Sequence, residues 1–364
     1  TMAVGLLLGS LMWPSLLRSY QKRRTLADES HRKSRYLSYI SDIEKSLISK
    51  RERTVRLLND SLCPSPEILC SMLDNESNRL RLWERSHEDA DFLAIRMGLG
   101  SRPFEVQLKF PKQGFQLYED ELRNLPVELS KKYGTLHNVP LTLDIFTNHT
   151  IGIIGSQKNI RTILNEVILN IISLHSYDEV KLVLITSPKQ VYNFDDFKNV
   201  PHIWSNDKKV RFFATNPDEV HYIFNIIDEM IKEREGSQDR GGTPIPHYVV
   251  FVTEPNLIEK EALLRYMNDS ENQVGITTLF AYGDITKLPK SCKTIIQSDD
   301  TRTGYYIKNK NANRFIPFTL DDVEMSRIHS FANELSRLSI KRDSRSLGIV
   351  DRISFLQMYK VGNV

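Results

Sequence analysis

Cysteine is scarce in this chain. Three residues in 364, Cys63, Cys70 and Cys292, are odd in number and widely spaced. They offer no disulfide framework and no C-x-x-C metal pair, so a reducing compartment is the default. The nine histidines are scattered in sequence, with no H-E-x-x-H pair and no nearby Cys/His cluster, which leaves neither a zinc site nor a hydrolytic triad. An excess of one charge is also lacking. A net charge of +3 makes no case for nucleic acid, and no dense basic patch with interleaved aromatics appears. Proline and glycine are missing from Tyr20 to Asp60. The length suits two or so domains with ample chain for a core.

Long uncharged runs are missing too, with one exception. Met2 to Leu17 carries no charge, and Arg18, Lys22, Arg23 and Arg24 follow at once. A bilayer-spanning helix needs about 20 apolar residues, and this run falls slightly short. The reading is the end of a transmembrane helix over 1–18, with the rest of the span expected upstream. Trp13 suits an interfacial position, and the basic cluster places the chain beyond it on the cytoplasmic side of the cell membrane. An amphipathic or buried helix is the alternative. Residues 19–62 then read as a helical stalk, its narrow apolar stripe formed by Tyr36, Ile40, Ile43 and Leu47. Lys50 and Thr54 interrupt that stripe, which favours packing on a neighbouring helix or on the chain's own domain over a coiled coil. Cys63-Pro64-Ser65-Pro66 ends the helix.

The chain is organised around Thr150 to His175. Ile151–Ile154 is a short apolar run suited to a buried strand, Gly155 breaks it, and from Ile160 the apolar residues recur with a helical period. Laid on the template G-x-x-x-x-G-K-[ST], Gly155 to Thr162 reads G-S-Q-K-N-I-R-T. Gly155 and Thr162 fall in register, and Ser156 comes directly after the first glycine. Ile160 replaces the second glycine, and Arg161 replaces the lysine. A phosphate loop points successive backbone N–H groups inward, and its second glycine keeps a Cβ out of the way. Ile160 would fill the space of a phosphate, and Arg161 is a planar fork in place of a compact ammonium. Thr162 keeps a hydroxyl suited to magnesium; its plainer reading is a polar residue in a helix's first turn.

Further βα alternation comes next, with strands over Val180–Thr186 and Arg211–Ala214 and a helix over Asn216–Glu235. The run His247 to Glu254 sits where a second nucleotide motif would lie: apolar residues, an acid for magnesium, then a catalytic glutamate. Thr253 replaces the magnesium acid. Glu254 remains at the second position, where the simpler reading is a loop carboxylate. Val274–Tyr282 and Cys292–Gln297 read as strands, Tyr305–Lys308 and Arg314–Phe318 as a late hairpin, and Asp321–Leu338 as a helix. Upstream, Phe92 to Met97 alternates as a strand would, and Phe104–Phe110 reads the same way. Glu119–Lys132 reads as a helix interrupted at Pro126, and Val139–Phe146 as a lead into the central strand.

The string L-W-E-R at Leu82–Arg85, followed by D-F-L-x-x-R-x-G-x-G from Asp91, resembles the cytoplasmic start of the membrane ATPases of type VII secretion systems. These are FtsK/SpoIIIE-like proteins of the EssC, YukB and EccC kind. Read from the residues alone, Trp83 is a core aromatic, and Glu84, Arg85, Asp91 and Arg96 are structural charge partners. Ser354 to Tyr359 (S-F-L-Q-M-Y) resembles the segment that introduces the first motor domain in those proteins, so the apolar Phe355, Leu356, Met358 and Tyr359 are expected to dock on the next domain. The resemblance implies an α/β, P-loop NTPase-like fold of the RecA/FtsK type, a mostly parallel sheet with flanking helices. It implies five segments: 1–18, the end of a transmembrane helix; 19–62, the stalk; 63–115, a small α+β subdomain; 116–340, a degenerate ATPase domain; 341–364, a linker.

It further implies ATP and magnesium in later domains of the full-length protein and a homo-hexamer. The implied partners are the chain's own downstream ATPase domains, other secretion-system membrane components, and secreted WXG100 proteins bound through a distant C-terminus. The function expected is a pseudo-ATPase module coupling motor domains to a membrane pore. An active or nucleotide-binding ATPase using Arg161, Thr162 and Glu254 is the alternative, and an FtsK-type DNA translocase is the weaker one.

Overall fold

The computed structural model describes residues 2–106, 109, 121–236, 244–269, 274–299, 303–309 and 312–340. The expected docking segment Ser354–Tyr359 lies outside these residues. One helix, α1 (Met2–Leu57), opens the chain and closes in a π-helical turn, Leu58–Leu62. The run expected as a membrane-helix end is the first part of α1. Among the described residues no helix is long and apolar enough to cross a membrane. The short helices α2 (Pro66–Cys70) and α3 (Glu76–Arg79) come next, then strand β1 (Ala94–Pro103), α4 (Leu125–Tyr133) and β2 (Thr135–Asp144). After them stand β3 (Thr150–Gly155), α5 (Gln157–Leu174), β4 (Val180–Ile185), β5 (Phe213–Ala214), α6 (Pro217–Gly236) and β6 (His247–Val252). The chain continues through α7 (Leu264–Met267), β7 (Ile276–Gly283), β8 (Thr294–Ser298), β9 (Thr303–Asn309), β10 (Ala312–Thr319) and α8 (Met325–Leu335).

Among the described residues the strands join one ten-stranded sheet in the order β2-β1-β10-β9-β8-β3-β7-β6-β4-β5. From β8 to β5 neighbours are parallel, and from β2 to β8 they are antiparallel. The parallel half is covered on both faces, which explains why its strands are mostly apolar and buried. Leu182, Leu184, Val249 and Phe251 pack toward α5, while Val183, Ile185, Val250 and Val252 pack toward α6 through Val220, Ile223, Phe224 and Ile227. The central strand β3 lies between β7 and β8, both of which come later in sequence, so the strand order reverses beside it. In open α/β sheets a ligand crevice forms at such a switch point.

Several elements differ from their sequence reading. Val139–Phe146 leads in sequence into the central strand β3, but its own strand β2 lies at the far edge of the sheet. Pro126 does not interrupt a helix; it stands in the first turn of α4, where its missing N–H costs nothing. Phe104 lies just past the end of β1, and Phe104–Val106 is not strand. The 63–115 segment, expected as a small α+β unit, supplies β1 to the common sheet, where it pairs with both β2 and β10. The apolar stripe of α1 packs on the chain's own domain and runs beyond Thr54. Leu47 and Leu58 are buried with Phe104, Leu136 and Val139, with Ile43 and Val55 beside them. Burying each leucine contributes about 1.5–3 kcal/mol, and Glu44 adds bonds to Lys132 Nζ at 2.8 Å and Tyr133 Oη at 2.7 Å.

Candidate functional site

The turn after β3 is shorter than a phosphate loop. β3 ends at Gly155, a single residue (Ser156) intervenes, and α5 begins at Gln157. Ser156 is the N-cap: its Oγ accepts from Asn159 N at 3.4 Å, and its carbonyl accepts from Ile160 N at 2.9 Å. Residues 157–160, which in a phosphate loop would curl around the anion, here form the first turn of a helix. Gly155 has φ +143°, and a Cβ built there would lie 1.7 Å from Ser298 O on β8. The glycine is required by the neighbouring strand.

Ile160 is buried in the core under α5. The Arg161 guanidinium stacks over Tyr192 at 5.6 Å. Thr162 Oγ1 donates to Lys158 O at 3.2 Å, the back-bond of a mid-helix threonine. At the end of β6, buried Thr253 donates to Thr186 Oγ1 at 2.8 Å. Glu254 accepts from Asn256 Nδ2 at 2.9 Å. Gly155, Ser156, Arg161, Thr162 and Glu254 therefore sit on the C-terminal side of the sheet; Ser156, Thr162 and Glu254 are bonded to local partners, while Arg161 stacks on Tyr192 and its buried Nε meets no acceptor. ATP with magnesium does not fit this arrangement. The N–H groups that would cradle phosphate belong to a helical turn, and Ile160 occupies the core behind it.

Sequence reasoning named Arg96 as a structural charge partner but missed the two buried polar groups that the fold assembles. The first surrounds Arg96, whose Nε and Nη2 donate to Asp321 Oδ2 and Oδ1 at 2.7 and 2.9 Å. Beside Asp321 lies Glu166 of α5, 4% exposed, with Oε1 lacking any donor. Burial, then the charge of Asp321, holds its carboxyl well above the ordinary range. The signal was present in the sequence: Asn165, Glu166 and Asn170 interrupt a helix that is otherwise buried on all sides. Because the folded state keeps the Glu166 proton after the unfolded chain has released it, stability falls as pH rises above about 4.5. Glu166→Gln is expected to raise the thermal midpoint at pH 9 by several degrees more than at pH 5. An unchanged pH slope from pH 5 to 9 would show that Glu166 ionises freely.

The second group corrects the scattered reading of the histidines. His175, His202 and His247 converge at the N-terminal ends of the parallel strands, all buried. His202 Nε2 donates to His175 O at 2.8 Å, and Leu93 N donates to His175 Nε2 at 3.0 Å. Phe92 stacks edge-on against His175 at 5.3 Å, and Phe146 lies 5.4 Å from His247. Burial pushes each of the three imidazoles down to about 3. Among the described residues no group of three or more His, Cys, Asp or Glu could hold a metal ion.

Fold and site together define an α/β domain with a mostly parallel sheet and flanking helices, in which the turn after β3 passes directly into the N-terminus of α5. No family model matches the chain. It is nevertheless similar in sequence to the type VII secretion proteins EccC and EssC over nearly its whole length. The ESX secretion system protein EccC of Geobacillus thermodenitrificans is 26% identical over 342 residues, covering 93% of this chain and 23% of that protein. The type VII secretion system protein EssC of Staphylococcus aureus is 25% identical over 351 residues, covering 94% and 23%. The chain thus spans about a quarter of the length of the curated relatives it matches. Similar solved structures include ATPases 2 and 3 of EssC from G. thermodenitrificans, with a TM-score of 0.44 and 12% identity over 70% of this chain and 51% of that one. Another is the cytoplasmic domain of the Thermomonospora curvata type VII secretion ATPase EccC, with a TM-score of 0.39 and 10% identity over 66% of this chain and 27% of that one.

Proposed function

We propose that this chain is the membrane-proximal, non-hydrolysing ATPase-like module of a type VII secretion ATPase. In this reading residues 1–18 belong to the end of a membrane helix and 19–62 to a stalk on the cytoplasmic side. Residues 116–340 are the degenerate domain, and 341–364 lead to the next one. The module couples nucleotide-driven domains further along the protein to a membrane pore that exports WXG100-type proteins. In the full-length protein it acts in a hexamer, alongside other membrane components of the system. The names and extent of the relatives support the secretion assignment. One observation carries the pseudo-ATPase assignment: α5 starts at Gln157, two residues after Gly155, and leaves no loop for phosphate.

The chain is therefore expected to hydrolyse no ATP, because groups that hold the transferring phosphate each lower the barrier by about 3–4 kcal/mol and are missing here. A phosphate-release assay should match the buffer blank, and titration with a fluorescent ATP analogue and magnesium should not saturate. Turnover that disappears on Glu254→Gln, in a preparation free of contaminating ATPase, would overturn the assignment.

A further inference from the structure

The segment from Arg81 to Arg96 touches the ends of two helices at once. A helix leaves its last carbonyls without donors of its own. At the end of α5 this segment supplies them. Trp83 Nε1 donates to Ile172 O at 2.9 Å, Trp83 N to Ser173 O at 2.8 Å, and Arg85 N to Leu174 O at 2.9 Å. The π turn that closes α1 is met by the same segment. Arg81 Nη1 donates to Asp60 O at 2.7 Å, Arg85 Nη2 to Leu62 O at 2.6 Å, and Arg96 Nη1 to Cys63 O at 2.7 Å.

The guanidinium groups are themselves held. Arg85 Nε pairs with Asp91 at 3.0 Å, Arg81 with Glu84 at 3.0 Å, and Arg96 with Asp321 through both oxygens. Arg85 and Arg96 are buried, so these bonds are little diluted by water. Three cations also oppose the negative end of the α1 dipole. Two corners of the segment, Trp83 at φ +60° and Leu93 at φ +55°, adopt left-handed backbone that bulky residues rarely take. Such conformations persist where the surroundings over-determine them.

We propose that Arg81–Arg96 is a rigid bracket joining the C-terminal ends of α1 and α5, so that a displacement of α5 is delivered to the long helix. α5 starts at the Gly155 turn beside the switch point and runs about 27 Å to the bracket, at 1.5 Å per residue. From the bracket α1 carries the movement away over its 56 residues. Coupling of this kind travels through hydrogen-bonded and rigid elements. The bracket stands on its own bonds and rests on the proposed function only for what displaces α5.

Hydrogen exchange on the whole chain tests it. Trp83→Phe deletes the indole donor to α5 and touches nothing on α1. It is expected to speed exchange at residues 58–63 about tenfold, together with the last turn of α5, because coupling is reciprocal. Arg81→Lys removes the Nη1 bond to Asp60 O on the α1 side and is expected to speed exchange at residues 171–175. Strands β4 and β6 should keep their protection in both variants. If the far helix end is unaffected in both, the bracket does not couple and the proposal fails. It fails equally if β4 and β6 exchange faster by the same factor, since the residues would then only hold the fold. ATP turnover by the chain would overturn the non-hydrolysing assignment and leave the exchange result standing.

Discussion

Lowering the pH from 6.5 to 4.5 is expected to cost this protein about 5 kcal/mol of stability, against the roughly 5–15 kcal/mol that a domain of ordinary stability possesses. The loss originates in His175, His202 and His247. Each is buried and pushed from an ordinary 6.5 down to about 3. Between those values the unfolded chain binds a proton at each position and the folded chain does not, so stability falls as pH drops through the window. The slope is about 1.4 kcal/mol per pH unit for each histidine. The charged neighbours that act on them are cationic: Arg85 on His175, Lys181 on His202, Arg234 on His247. None of them would welcome an imidazolium.

Glu166 works in the opposite direction above pH 4.5, where the folded state holds its proton. The net slope is therefore that of two protons above pH 4.5 and of three below it. Denaturant midpoints at pH 7, 5.5 and 4.5 would measure this. His247→Gln should lower the slope by one proton, and Glu166→Gln should raise it by one in the upper part of the range. A midpoint that is flat from pH 6.5 to 4.5 would mean that the imidazoles become charged without leaving the fold.

Much of the parallel half of the sheet was legible in the sequence. Strands buried on both faces read as near-continuous apolar runs, and residues 182–185 and 248–252 do. The helical period after Gly155 placed α5 correctly. The antiparallel half was less legible, because β1 pairs with β10 across more than two hundred residues and nothing local marks that register. The length of the turn was misjudged for a different reason. Ser156 directly before Gln-Lys-Asn is an N-cap signal, but an eight-residue template spread the turn as far as Thr162. The bracket motif was noticed through its tryptophan and paired charges. Its chemistry, however, lies in backbone carbonyls of Asp60, Leu62, Cys63 and Ile172, and a sequence does not display which carbonyls lack donors.

Gly155→Ala is expected to destabilise the protein by about 3 kcal/mol or more, whether or not ATP and magnesium are present. A Cβ at this position would lie 1.7 Å from Ser298 O and 2.6 Å from Ser298 C, both backbone atoms of the paired strand β8. A backbone cannot swing aside as a side chain does. The φ of +143° adds strain for any L residue. The same Ser298 carbonyl accepts from Ser156 N at 3.2 Å, so moving β8 away would also loosen the start of α5. Gly152, three residues earlier on β3, is the internal control. There a Cβ would meet the side chain of Leu288 at 2.5 Å, an obstacle that can rotate, and Gly152→Ala should cost less than half as much. Denaturant unfolding of the two variants, with and without millimolar ATP and magnesium, separates the two reasons for a glycine at 155. If nucleotide stabilises the parent chain and the gain vanishes in Gly155→Ala, the residue serves a phosphate. If the loss is the same in both conditions, it serves the contact between β3 and β8.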